Sequence, residues 1–221
     1  ALRLSRGMSY KNALAGLPVG GGKAVILKAS EAPPRATLFA AYGRAVNSLA
    51  GQYITAEDVG TRVEDMQEVA KVTRYVSGLA GDATRAGGDP SPKTADGVYL
   101  AMKEAWRFAT GSDALAGVRV AVQGVGGVGG ALCGLLHREG ARLIVADVSE
   151  TRARQTAREY SALMAEPDEL IGTEADILAP CALGGVLNAR SIDTLRVRVV
   201  CGAANNQLAN PEDGERLRAH G

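Results

Sequence analysis

The chain has 221 residues, of which 46% are hydrophobic and 22% charged, with a formal net charge of +1. Those are ordinary values for a globular protein of one large domain or two modest ones. A near-neutral balance gives no field to gather nucleic acid or an acidic membrane. Aromatic residues, at 4%, are too few for a base-stacking surface. No apolar run approaches the ~18 residues of a membrane span, so neither a nucleic-acid nor a membrane partner is expected. Cys133, Cys181 and Cys201 lack C-x-x-C spacing and read as reduced core thiols of a cytoplasmic protein. His137 and His220 are the only histidines, so no metal site is expected.

In chain order, Ala1–Arg6 alternates apolar and polar residues as a strand does, without an initiator methionine. Gly20-Gly21-Gly22 then makes a turn, and Lys23–Leu27 is a short apolar run. Residues 1–30 therefore read as strand, turn, strand, with Lys23 heading a buried strand. After Pro33-Pro34, residues Leu38, Ala41, Tyr42, Ala45, Val46 and Leu49 recur at helical spacing, and Gly51 closes that helix. Tyr53–Thr55 reads as a short strand leading to Asp58. Thr61 and Glu64 form a capping-box pair opening a helix through Val63, Met66, Val69, Ala70 and Val76. Residues 78–93, rich in Gly, Asp and Pro, read as the crossing between two domains. Thr94 opens a helix bearing Val98, Ala101, Met102, Ala105 and Trp106, ending near Gly111. Strands at 118–122, 143–147, 175–179 and 197–201 then alternate with helices at 127–139 and 150–160, the pattern of a doubly wound sheet. Arg216–His220 reads as a basic last helical turn stopped by Gly221, and both ends of the chain read as cut.

The strand Val118–Val122 runs directly into Gln123-Gly124-Val125-Gly126-Gly127-Val128-Gly129, which opens a helix with apolar Val128, Leu132, Leu135 and Leu136. A second strand, Leu143–Ala146, ends in Asp147. This whole unit, rather than the three glycines alone, is the fingerprint of a dinucleotide cradle. Gly124 serves the tight turn, Gly126 the approach of backbone to a pyrophosphate, and Gly129 the close packing of helix on strand. The helix N-terminus offers amides to the phosphates. Asp147 suits a ribose hydroxyl and repels a 2′-phosphate, so NAD is expected over NADP, with Arg152 and Arg154 as the residues that bear against it.

Gly22-Lys23 is not a phosphate loop, because Leu17 stands where such a loop needs glycine and Ala24 where it needs Ser or Thr. A desolvated Lys23 would have a lowered pKa and serve as a base at neutral pH. Alternatives are a solvated lysine at position 23, helix capping by Asp58 and turn roles for Asn205 and Asn206. Thr94, likewise, could be no more than a helix N-cap.

Taken together, Gly7–Ala13, Gly20–Lys23, Thr55–Thr61, Asp89–Pro92, the cradle, Ala179–Gly184 and Cys201–Leu208 resemble, in order along nearly the whole chain, the glutamate, leucine, phenylalanine and valine dehydrogenases. The resemblance is nearest to the leucine and valine branch, although Leu17-Pro18-Val19 looks more like the glutamate branch. It implies reversible oxidative deamination of an amino acid to its 2-oxo acid and ammonium, with NAD as cofactor and a homo-oligomer as the working form. It implies that Lys11 binds the substrate carboxylate, Lys23 is the catalytic lysine and Asp58 shuttles the proton of the amine. Met8 and Ala56 would face the substrate side chain and Asn206 the amino group. Thr94, Ala182 and Asn205 would join Gly124, Val125, Gly126, Gly129 and Asp147 in holding the cofactor.

The expected architecture is α/β. Residues 1–90 form a partial α/β substrate domain, incomplete at its start. Residues 91–221 form a Rossmann-type doubly wound NAD-binding domain lacking its C-terminal part, with the active site in the cleft between the two. The substrate is expected to be a branched-chain aliphatic amino acid. Glutamate or phenylalanine as substrate, or a non-catalytic NAD-binding fragment, are the alternatives.

Overall fold

A computed structural model describes residues 1–27, 29–79 and 87–220. The chain divides into two compact units, Ala1–Pro90 and Ser91–Gly221.

The first unit carries three helices, α1 (Leu2–Leu14), α2 (Arg35–Ser48) and α3 (Val63–Ala70). The strand expected at Ala1–Arg6 is instead the start of α1. The whole run Leu2–Leu14 contains neither proline nor a β-branched residue, so little in it besides Gly7 opposes helix, and two leucines at alternate positions are too short a pattern to outweigh that. None of the residues of α1 is buried. Lys23–Leu27 is also not the buried strand expected. It has no ladder partner among the described residues, and Val25 and Leu27 are 57% and 88% exposed. The strand expected at Tyr53–Thr55 is reduced to a single parallel bridge between Thr55 and Val76. Thr55 N–H donates to Tyr75 O at 3.0 Å and Ser77 N–H to Thr55 O at 2.7 Å. Val76 therefore lies beyond α3 rather than within it.

The helix α2 follows its apolar spacing and is closed by Ala50 and Gly51, both with positive φ. Phe39 on α2 packs with Met66 and Val69 on α3 in a small core. The capping pair of α3 is shifted by one residue from the Thr61–Glu64 expectation. Thr61 Oγ1 is already engaged, accepting from Asp58 N–H at 2.9 Å and donating to Asp58 O at 2.7 Å. Arg62 becomes the N-cap residue, and its N–H donates to Asp65 Oδ2 at 2.8 Å. Arg35 grips the same carboxylate through Nε to Oδ1 at 2.9 Å and through a second, shorter contact to Oδ2.

In the second unit the sheet strands are β1 (Arg119–Gln123), β2 (Arg142–Ala146), β3 (Leu163–Met164), β4 (Ile177–Pro180) and β5 (Val199–Val200). All pairings are parallel, in the order β3-β2-β1-β4-β5. The helices are α4 (Ser91–Thr110), α5 (Gly127–Arg138), α6 (Glu150–Tyr160), α7 (Ala189–Ile192) and α8 (Glu212–His220). Thr94 sits inside α4 rather than capping it. The expected loop over 78–93 lies partly outside the described residues, as does the Gly221 stop. Period-two alternation splits the strands between two apolar layers. Val120, Val122, Leu143, Val145, Ile177 and Ala179 face Met102 of α4 and Leu132 and Leu136 of α5. Ala121, Ala146 and Leu178 face Leu170, Leu187 and Ile192 on the other side. Burial pushes the Cys133 thiol up to about 12 and that of Cys181 to about 11, and raises Cys201 as well.

The Asp65 carboxyl is held below the ordinary aspartate range, chiefly by the Arg35 hydrogen bond. A depressed folded-state pKa stabilises fully above the unfolded value of about 3.9 and is lost as pH falls through the folded value. Asp65→Asn is therefore expected to lower stability at pH 7 by about 1–3 kcal/mol and to show a weaker loss on acidification than the parent chain. Urea denaturation at pH 7 and pH 3, followed by circular dichroism, measures both.

Candidate active site

In the first unit the site is built on α1 and the glycine turn that follows it. Asn12 Nδ2 donates to Gly20 O at 2.8 Å and Gly21 N–H donates to Ser9 Oγ at 3.0 Å, so two side chains of α1 hold the turn against the helix. The approach leaves no room for a side chain: a Cβ on Gly21 would lie 1.9 Å from Ser5 O and 2.4 Å from Ser9 N. On the other side the Tyr53 ring fills the space beside Gly22. The turn delivers Lys23, with its side chain 20% exposed, to the carboxylate of Asp58, where Nζ and Oδ2 are in direct contact. Asp58 Oδ1 accepts from Val59 N–H at 2.8 Å. The Asp58 carboxylate faces Lys23, and the first turn of α3 is capped by Asp65, so helix capping is not its role. Burial first, and the Lys11 ammonium second, lower the pKa of Lys23 from the ordinary lysine value. Lys11, Lys23 and Asp58 are thus one electrostatic group, although Lys23 does not head a buried strand. Met8 is half-buried on α1 and Ala56 is exposed two residues before Asp58.

One residue the sequence reading left without a role stands here. Glu57 Oε2 is buried without a hydrogen-bond partner, and burial followed by the nearby Asp89 raises its carboxyl pKa. Its place inside Thr55–Thr61 was the only signal available.

In the second unit the loops leaving adjacent strands are stitched together at the C-terminal edge of the sheet. Gly124 N–H donates to Ala146 O at 2.7 Å, Cys181 N–H to Gln123 O at 2.7 Å and Ala204 N–H to Pro180 O at 2.8 Å. Gly185 N–H reaches Asn206 O at 2.8 Å. Gly124, Val125, Gly126, Ala182, Asn205 and Asn206 are thereby gathered at the ends of β1, β4 and β5, where ligands of open parallel sheets bind. Asn206 adopts left-handed φ of 50°. The three cradle glycines differ in what they face. Gly124 has φ +86°. A Cβ on Gly129 would lie 1.9 Å from Gly124 O, whereas one on Gly126 would meet no atom within 4 Å. Turn and helix packing therefore account for the first two, and open space over the N-terminus of α5 for the third. Asp147, its side chain 5% exposed, accepts from Val125 N–H at 2.9 Å and ties the end of β2 to the cradle. Thr94 is exposed in the first turn of α4, whose Ser91 lies against Gly127. Gln123 Oε1, beneath the cradle, is buried without a partner, a feature the sequence did not single out. Among the described residues, no group of three or more His, Cys, Asp or Glu side chains could hold a metal ion, and no helix is long and apolar enough to cross a membrane.

Residues 1–75 match the family described as Glu/Leu/Phe/Val dehydrogenase, dimerisation domain. The similarity to individual dehydrogenases runs further along the chain. The leucine dehydrogenase of Thermoactinomyces intermedius is 49% identical over all 221 residues. The valine dehydrogenase of Streptomyces virginiae is 46% identical over 95% of the chain. The chain spans about 60% of the length of these curated relatives. Among solved structures, the L-tryptophan dehydrogenase of Nostoc punctiforme is 42% identical, with a TM-score of 0.72 over 99% of this chain and 61% of its own.

If the glycine turn must lie directly on α1 to present Lys23, filling it will disturb the whole group. Gly21→Ala is expected to cost about 1–3 kcal/mol by overpacking against the α1 backbone, whereas Gly20→Ala, whose added Cβ meets nothing within 4 Å, serves as the neutral control. Thermal unfolding of the two variants beside the parent separates them.

Proposed function

We propose that this protein is an NAD-dependent L-amino-acid dehydrogenase that deaminates a branched-chain aliphatic amino acid, leucine or valine, to its 2-oxo acid and ammonium. The observation that carries the reading is the contact of Lys23 with Asp58, next to a second amine at Lys11. Residues 1–90 act as the substrate domain and residues 91–221 as a Rossmann-type dinucleotide-binding domain. Its support is the parallel strand order β3-β2-β1-β4-β5 and the open space over Gly126. We further propose a cytoplasmic homo-oligomer, in keeping with the dimerisation-domain family of residues 1–75.

In this reading the Lys11 ammonium anchors the substrate α-carboxylate and fixes the orientation of the α-carbon. Asp58 takes a proton from the substrate amine, and the neighbouring Lys23 ammonium keeps that carboxylate ionised. Lys23, having released its proton to solvent, then draws a proton from the water that adds to the iminium carbon; Asp58 returns its proton to the amino nitrogen, and ammonium departs with the hydroxyl proton as the carbonyl forms. Gly126 and Asp147 would hold NAD, which would supply the hydride acceptor. Gly124, Val125, Gly129, Ala182, Asn205 and Thr94 shape that site, and Asn206 lies by the amino group. Relatives of similar identity are named for leucine, valine and tryptophan. The aliphatic preference therefore rests on Met8 and Ala56, which offer no cation to a second carboxylate, whose burial unpaired would be costly.

Lys23→Ala and Asp58→Asn are each expected to lower kcat by about two to four orders of magnitude with NADH affinity retained. Lys11→Ala is expected to raise KM about tenfold or more. Because Lys11 is one cause of the lowered Lys23 pKa, its removal should also move the rising limb of kcat/KM to higher pH. Initial rates over leucine, valine, phenylalanine and glutamate test the substrate. Glutamate in first place would move the protein to the other branch, and NADH binding without turnover of any of the four would leave a binding module.

The cradle has its own test. Gly126→Ala is expected to melt with the parent yet weaken NADH at least about tenfold, since its Cβ enters the space a pyrophosphate would use. Gly129→Ala is expected to lose stability. Fluorescence titration with NADH alongside thermal melts distinguishes them, and an unchanged NADH affinity in Gly126→Ala would remove the cofactor from that position.

A further inference from the structure

The residue meant to exclude a 2′-phosphate does not face outward. Asp147 is buried, and three donors surround its carboxylate. Val125 N–H donates to Oδ2 at 2.9 Å, and Ser149 N–H and an Arg152 terminal nitrogen donate to Oδ1 at 2.7 and 2.8 Å. Over it lies the Arg152 side chain, 54% exposed against 5% for Asp147. What the end of β2 presents to a ribose is therefore a guanidinium, with the carboxylate charge compensated beneath it. The neighbouring Arg154 is placed differently. Its Nε and terminal nitrogen both hold Glu150 Oε1, at 3.0 and 2.5 Å, so its charge is balanced by an exposed acid. Charge repulsion needs an unscreened anion facing the ligand, and that condition is not met at Asp147. Arg152, in contrast, uses one of its five N–H donors on Asp147 and keeps a planar fork suited to phosphate.

We propose that Arg152 is a specificity-determining residue that makes this protein accept NADP as well as NAD, its guanidinium turning from Asp147 to the 2′-phosphate. When the ribose carries a free 2′-hydroxyl, Arg152 stays on Asp147. The proposal rests on the dinucleotide reading of the second unit and concerns only which dinucleotides it takes.

The test is equilibrium titration of NADH and NADPH fluorescence, without substrate, on the parent chain and on Arg152→Ala, Arg152→Lys and Arg154→Ala. The parent is expected to bind the two within about tenfold of each other. Arg152→Ala should weaken NADPH by about tenfold or more and leave NADH unchanged or tighter. Arg152→Lys, which keeps the charge without the fork, should fall between, and Arg154→Ala should change neither ratio. Binding of NADH but not NADPH by the parent would overturn the proposal and leave the dinucleotide reading standing. Equal weakening of both ligands by Arg152→Ala would also overturn it, making Arg152 a support of Asp147 only. Binding of neither would overturn both.

Discussion

The second unit depends on the approach of α5 to the turn that leaves β1. At Gly129 the helix backbone lies so near the Gly124 carbonyl that a single methyl group would collide with it. That proximity sets where α5 begins, and so aims its first amides at the open space over Gly126. It also fixes Val125, whose N–H holds Asp147 and joins the end of β2 to the same loop. Backbone hydrogen bonds from Gly124, Cys181 and Ala204 then carry the constraint across the sheet, strand by strand. The residues at this edge of the sheet are placed by backbone, which is why so many of them are glycine, alanine or asparagine.

In the first unit the comparable constraint is the glycine turn held on α1 by Ser9 and Asn12. A lysine on an unsupported loop would sit in water with an ordinary pKa. Here burial and the proximity of Lys11 combine to oppose the charge of the amine, while Asp58 stands against it. A lysine whose pKa is lowered from the ordinary value thus stands at the end of three consecutive residues lacking side chains.

Much of the sheet unit was legible in the sequence. Its strands are short, largely apolar runs, and β1, β2, β4 and β5 fall within a few residues of expectation. The two-residue β3 and four-residue α7 left no periodic trace. The first unit was harder to read. Alternation over six residues at Ala1–Arg6 pointed to strand, but a strand exists only against a neighbour, and the thirteen-residue run without β-branching closed on itself as α1. Lys23–Leu27 is apolar and predicts a buried strand, yet burial needs a covering layer that composition does not report. The motif residues Lys23 and Asp58 were found by resemblance, and their contact could be seen only in three dimensions. The same holds for Arg152, whose position in the sequence raised the question of cofactor choice without showing that it covers Asp147.

The three cysteines have a practical consequence. With thiols at about 12 for Cys133 and about 11 for Cys181, and Cys201 raised by burial as well, the thiolate is a minor form at neutral pH. Alkylating and fluorescent maleimide reagents attack thiolate, so the native chain presents a nearly silent background. A single cysteine introduced at an exposed position such as Ser112 would then carry a label almost alone, without first removing the cysteines from the sheet unit.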